Sequence, residues 1–178
     1  MNKLENLWAG WRKEYLTSVD IRNYKDDLEM TLFEAIDKSE LPDQETFVIE
    51  RRALTMLLLN AYPYTSGHLL IVPRRSVKTI AELSIEEHES LWKMVTEATK
   101  VLQEVFSPDG INIGLNQGES AGAGVPNHLH VHVVPRWSGD TNFTTVTANT
   151  RVIPETLIDT WTRISKVWPK ENLSLIHI

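Results

Sequence analysis

Apolar residues recur along this chain with two periods, and the switches between them outline its elements. Between Asp26 and Ser39, Leu28, Leu32 and Ile36 return every fourth residue with Phe33 beside them, the spacing of one helix face. A short helix is predicted there. The stretch from Thr46 to Pro63 is dense in β-formers and interrupted by Glu50, Arg51 and Arg52, which predicts a hairpin rather than one long element. After Tyr64-Thr65-Ser66-Gly67, the run from His68 to Pro73 predicts a strand closed by proline. Ser84 and Glu87 have the spacing of a capping box, in which each side chain bonds the other's backbone N–H. Leu91, Val95, Ala98, Leu102 and Val105 then follow at alternating intervals of four and three, predicting a long helix that ends near Ser107-Pro108-Asp109-Gly110. Ile111, Ile113 and Leu115 alternate with Asn112, Gly114 and Asn116, a strand buried on one face. A glycine-rich loop over 118–124 leads into a second alternating run, His128 to Val134. Leu157, Trp161, Ile164 and Trp168 predict a helix after Pro154, and the last six residues carry no interpretable pattern.

Strands outnumber helices, and a tight glycine loop joins two of them. The expected class is α+β, a largely antiparallel sheet with helices packed on it. No internal repeat or linker-like run divides the chain, so a single domain over 1–178 is expected. Residues 1–25, with Trp8, Trp11, Tyr15 and Tyr24 among charges, would pack as an aromatic arm, and 170–178 would be a tail.

Charge and composition narrow the partners. Against 24 Asp and Glu stand 18 Lys and Arg, a net charge of −6 with no dense basic run, which argues against a duplex nucleic-acid binder. A nucleotide in a pocket needs only a few local donors. The chain has no cysteine, which removes disulfides, thiolate nucleophiles and Cys-ligated metal sites. No apolar run is long enough for a bilayer, and the charged start is unlike a signal peptide. A cytoplasmic address without membrane association is expected.

The chemistry concentrates in His128-Leu129-His130-Val131-His132-Val133-Val134. A strand repeats its side-chain direction every second residue, so the three imidazoles would share one face and Leu129, Val131 and Val133 the other. Three histidines in register are costly as mere packing, because they desolvate one another and repel when protonated. Two functional readings compete. Neutral imidazoles two apart can ligate zinc, but no carboxylate lies within the row to orient them. The adjoining loop, Gly118 to Gly124, instead offers exposed N–H groups suited to an anion.

The row resembles the pattern that names the histidine triad superfamily, His-φ-His-φ-His-φ-φ with φ apolar, and matches it at every position. Asn60 eight residues before His68, Gln117 eleven before His128, and Pro135-Arg136 after the triad are similar to the branch that cleaves dinucleoside polyphosphates. Trp8-x-x-Trp11-Arg12-x-x-Tyr15, Ala121-Gly122-Ala123-Gly124 and Pro135 through Phe143 resemble bacterial members related to diadenosine tetraphosphate phosphorylases and hydrolases. Some relatives hold a structural zinc with Cys-x-x-Cys, a site this chain cannot build.

The resemblance implies nucleotidyl transfer in two displacements through an adenylylated histidine, with His130 as nucleophile. Imidazole suits that task, being largely neutral near pH 7 and a good leaving group from phosphorus. By the same carry-over His132 protonates the departing phosphate chain, His128 orients His130 through its backbone carbonyl, and Gln117 holds a phosphate oxygen or the second nucleophile. Substrate contacts are expected from Asn60, on a ribose hydroxyl, and from Asn116, Ser120, Gly122, Ala123, Gly124 and Arg136; His68, grouped with them, supports the triad from behind, and Trp137 either stacks on a base or packs in a dimer interface. Phosphorolysis is slightly favoured over hydrolysis, since the glycine loop and Arg136 could hold inorganic phosphate. The alternatives are a hydrolase using water, a hydrolase of adenylyl phosphoramidates or sulfates, and a slow nucleotide-sensing module. No metal or tightly bound cofactor is expected, Mg²⁺ entering only with the polyphosphate, and the family resemblance and six Trp suggest a homodimer.

Overall fold

The computed structural model describes residues 30–141 and 153–169. The expected aromatic arm, the C-terminal tail, Asn142 and Phe143 lie outside them. The predicted class is the one observed: helices on an antiparallel five-stranded sheet. In chain order come α1 (Leu32–Asp37), α2 (Asp43–Thr46), β1 (Val48–Arg51), β2 (Thr55–Leu59), β3 (Leu69–Pro73), α3 (Ile85–Phe106), β4 (Gly110–Leu115), β5 (Val131–Arg136) and α4 (Leu157–Val167), with single 3-10 turns at Ile80–Glu82 and Glu119–Ala121. The strands lie in the order β1-β2-β3-β5-β4, every neighbour antiparallel.

Alternation along the strands divides the interior in two. Leu57, Leu59, Leu69, Ile71, Val131 and Val133 face α3 and α4, where they meet Leu91, Met94, Ala98, Leu102 and Ile164. Met56, Leu58, Leu70 and Val72 face the opposite way, onto Phe33 and Ile36 of α1. His132 pairs with Leu70 across the β3–β5 ladder and with Gly114 across β4–β5, so it stands on the α1 face. The long helix starts where its capping box predicts: Ser84 accepts from the Glu87 N–H, and Glu87 accepts from the Ser84 N–H. Glu87 is further held by two bonds from Arg75, whose guanidinium keeps that carboxyl below the usual range.

Three details depart from the sequence reading. The β1–β2 turn lies at 52–54, with the Arg52 N–H donating to the Thr55 carbonyl, so Glu50 and Arg51 belong to β1. Ile113 is 46% exposed, because β4 is a sheet edge. The histidine row is not all strand. β5 begins at Val131, and the Leu129 N–H leaves the ladder for the Val77 carbonyl.

Candidate active site

Four histidines meet on the α1 face of the sheet, and their hydrogen bonds fix where each proton sits. The Tyr64 N–H donates to His68 Nδ1 at 3.0 Å, so the His68 proton is on Nε2, which lies 2.9 Å from His132 Nδ1. His132 therefore accepts at Nδ1 and carries its own proton on Nε2, a buried atom with no hydrogen-bond partner among the described residues. His130 donates from Nδ1 to the His128 carbonyl at 2.8 Å, which leaves the Nε2 lone pair available. The His130 and His132 rings meet edge to face with centroids 5.0 Å apart.

Burial pushes the pKa of His128 and His130 below the usual imidazole value, and burial next to His130 pushes His132 down to about 4. All three are thus neutral at physiological pH. The repulsion expected of a charged row does not arise, and His130 is in the form that can attack.

His128 stands apart from the other two. Its ring is buried, Nε2–H donating to the Pro73 carbonyl at 2.7 Å and Nδ1 lying 2.6 Å from Thr31 Oγ1. It presents its carbonyl, and not its ring, to the site.

His130 and His132 close one end of a pocket of about 540 Å³, whose walls are largely apolar: Leu32, Phe33 and Ile36 from α1, Phe47, Leu58, Leu70 and Val125. Asn60, Gly122 and Gly124 border it, as do Tyr62 and Tyr64. That combination suits a nucleoside with phosphate at the histidine end. A second depression of about 400 Å³ adjoins it, sharing Tyr64 and His132 and lined by Asn112, Gly114, Asn116 and Arg136. Tyr64 lies nearly parallel to His132, ring centroids 5.8 Å apart, at the junction of the two.

Other expected site residues fall elsewhere. Gln117 turns outward and accepts the Ile80 N–H at 2.7 Å, so the amide on the histidine side is that of Asn116, its Nδ2 lying 3.9 Å from where a Cβ on Gly122 would be. Arg136 is bound by both oxygens of Asp140, at 2.6 and 2.8 Å, and by Asn112 at 2.8 Å; the pair holds Asp140 well below the carboxylate range. It is not a free anion donor. Trp137 packs edge-on to Phe106 and borders neither the nucleoside pocket nor its neighbour. Ser120 and Ala123 belong to the glycine loop but not to the pocket wall, and Asn60 uses its Oδ1 to accept the Tyr62 N–H at 2.9 Å. Thr31, Phe33 and Tyr64 were not singled out from the sequence. Thr31-x-x-Glu34 ahead of an apolar helix face was the available signal for the first of them.

Among the described residues no cluster of His, Asp and Glu is arranged to hold a metal. The ring bonds give the reason: both His128 nitrogens are engaged, as are Nδ1 of His130 and of His132. The free nitrogens of the triad do not converge as three ligands.

The sequence pattern of the HIT domain family matches residues 42–139. An AP-4-A phosphorylase of Mycobacterium tuberculosis is 36% identical over 170 residues, spanning 96% of this chain and 87% of that protein. An asymmetrical bis(5'-nucleosyl)-tetraphosphatase of Schizosaccharomyces pombe is 37% identical over 93 residues, 52% of this chain and 50% of the relative. Among solved structures, a zinc-bound histidine triad family protein from Mycobacterium smegmatis superposes with a TM-score of 0.63 at 24% identity, covering 78% of this chain and 92% of that one, a likeness of fold.

Proposed function

This chain belongs to the HIT domain family, and from that premise we propose that it cleaves dinucleoside polyphosphates of the diadenosine tetraphosphate kind through an adenylyl group carried on His130. The observation that carries the reading is the fixed tautomer of His130: Nδ1–H is spent on the His128 carbonyl, which leaves the Nε2 lone pair free on a ring that lines a nucleoside-sized pocket. The relative matched over nearly the whole chain bears the name AP-4-A phosphorylase, which supports the substrate class.

In the first displacement His130 Nε2 bonds to the α-phosphorus and the bond to the bridging oxygen breaks. The remaining nucleoside polyphosphate leaves as an anion, and the imidazole keeps its Nδ1 proton on the His128 carbonyl. With the polyphosphate bound, the Nε2–H of His132, buried and without a partner among the described residues, is the donor available to the oxygen that gathers charge. The chain Tyr64 N–H to His68 to His132 gives it one donor proton and no second one to replace it, so its role is to stabilise the departing oxygen by a hydrogen bond rather than to act as an acid. In the second displacement an incoming oxygen attacks the same phosphorus and returns His130 to its neutral form. Asn116 and the N–H groups around Gly122 and Gly124 are the donors nearest the phosphates.

We infer phosphorolysis for that second step. Its support is the named phosphorylase relative, whereas the named hydrolases match about half the chain. Arg136, held by both oxygens of Asp140, adds no support for a phosphate site. We further propose a homodimer joined at the β4 edge, where Ile113 is exposed on a strand that pairs with β5 on one side and with no described strand on the other. No resident metal is proposed, and the polyphosphate brings Mg²⁺. Among the described residues no helix is long and apolar enough to cross a membrane, and we propose a cytoplasmic enzyme.

Incubation with diadenosine tetraphosphate tests the function. Phosphorolysis gives ADP and ATP and accelerates with added phosphate. AMP and ATP at a rate indifferent to phosphate would identify a hydrolase, and absence of turnover with retained binding would identify a sensing module.

A further inference from the structure

The segment carrying His128 and His130 is not held by the sheet. β5 starts at Val131, so the His128 carbonyl, on which the orientation of His130 depends, precedes the ladder. Bonds from elsewhere fix it. The His128 N–H donates to the Val125 carbonyl at 3.2 Å, its Nε2–H to the Pro73 carbonyl, and its Nδ1 meets the hydroxyl of Thr31, 97 positions upstream. Thr31 lies outside the residues matched by the family pattern.

Thr31 is itself tightly determined. It is the N-cap of α1, and its backbone N–H donates to Glu34 Oε2 at 2.8 Å. Its hydroxyl is 3.0 Å from the same oxygen and accepts from the Glu34 N–H at 3.4 Å. Burial would raise the Glu34 pKa, but the Thr31 bonds and the nearby His128 bring it below the usual value, so the carboxylate is ionised. The next helix position but one, Phe33, sets its ring 5.2 Å from that of His128 and 5.5 Å from that of His130.

We propose that Thr31, held by the Glu34 capping box, is a positioning residue for the transfer reaction: it anchors the His128 ring, and the His128 carbonyl then holds His130 with Nε2 towards the α-phosphorus. This rests on the reading of His130 as nucleophile. A hydroxyl suits the task because it can turn. While His128 is neutral, the Thr31 O–H proton lies between its two acceptors, His128 Nδ1 at 2.6 Å and Glu34 Oε2 at 3.0 Å. Should His128 gain a proton as charge shifts in the site, Nδ1–H donates to Thr31 Oγ1 and the hydroxyl proton turns to Glu34 Oε2. The ring keeps both anchors in either state, which no apolar side chain at position 31 allows.

A mere helix cap would behave differently. α1 also supplies Leu32, Phe33 and Ile36 to the pocket wall, so loosening it weakens substrate binding and raises KM. Misdirecting His130 leaves binding intact and lowers kcat. The test compares Thr31→Val, Thr31→Ser and His130→Ala with diadenosine tetraphosphate as substrate. Thr31→Val is expected to lower kcat about ten- to a hundredfold, the scale of a small misplacement of a reacting group, with KM within about twofold. Thr31→Ser keeps both hydroxyl and cap and restores most of the rate. If Thr31→Val does not fold, Glu34→Ala replaces it and Glu34→Gln, which can still close the box, is its rescue. An unchanged kcat, a loss confined to KM, or a loss that the conservative variant does not repair overturns the inference. His130→Ala separates it from its premise: residual turnover there refutes the nucleophile, whereas a dead His130→Ala beside a fully active Thr31→Val refutes the positioning role alone.

Discussion

Replacing Gly67 by alanine probes the turn that delivers His68 to the back of His132. Gly67 has φ of +80°, in the left-handed region, and a Cβ there would come within 3.1 Å of Phe106 Cε2 and 3.2 Å of both Leu102 Cδ2 and Pro135 Cγ. The backbone conformation costs a non-glycine residue about 1–2 kcal/mol. The contacts add an overpacking term of about 1–3 kcal/mol, because Leu102 and Pro135 are buried and cannot swing away. The expected loss is therefore about 2–5 kcal/mol, a large share of the stability of a domain this size. Gly139 is the control. Its φ is +78°, yet no described atom lies within 4 Å of its Cβ position, so Gly139→Ala should show the backbone cost alone. The entropy that alanine removes from the unfolded chain cancels in the comparison. Urea unfolding of wild type and both variants gives the difference, and the Gly67 variant should also lose activity as His68 is displaced. If Gly67→Ala is no less stable than Gly139→Ala, the packing of this turn on Phe106, Leu102 and Pro135 is refuted.

Acid should weaken the fold through His132: with a folded pKa near 4 and an unfolded value near 6.5, the unfolded chain alone binds the proton between them. That stability is fully present above about pH 6.5 and lost as pH falls towards 4, about 2 kcal/mol by pH 5 before screening and about 1 kcal/mol once the ring's partial exposure is allowed for. Denaturation at pH 7.5 and 5.0 should show a smaller loss in His132→Gln than in wild type, and equal losses would refute it. Metal analysis of the purified protein should find no stoichiometric zinc; one zinc per chain, lost in His132→Gln, would restore the metal reading of the triad. Ile113→Lys should halve the mass seen by light scattering, and a monomeric wild type would remove the proposed β4 interface.

The fold was largely legible because its signals are local. Ser84 and Glu87 mark the start of α3 within four residues, and the unbroken apolar run from Leu69 to Pro73 follows from one strand buried on both faces. The strand Gly110–Leu115 was legible too, but not its place at the edge, since the exposure of Ile113 depends on what lies beyond it. The site was legible in its residue types and less so in its geometry. Alternation puts His128, His130 and His132 on one face only if all three are strand, but the Leu129 N–H bonds the Val77 carbonyl and the His130 ring bonds the His128 carbonyl, and β5 starts only at Val131. Gln117 and Asn116 are neighbours of similar chemistry, and the Ile80 N–H, distant in sequence, decides which of them turns away. The Thr31–His128 contact spans 97 positions, and each residue alone has an ordinary explanation, one as a helix cap and the other as a triad member.

The central claim is that His130 becomes covalently adenylylated. Protein mixed with diadenosine tetraphosphate, without added phosphate and quenched in base to preserve a phosphorus–nitrogen bond, can be weighed intact and then mapped by peptide. Wild type should gain the mass of one adenylyl group on the peptide holding His130, the adduct should disappear on adding phosphate, and His130→Ala should show neither adduct nor turnover. Turnover at the wild-type rate in His130→Ala, or an adduct on any other residue, would contradict the account.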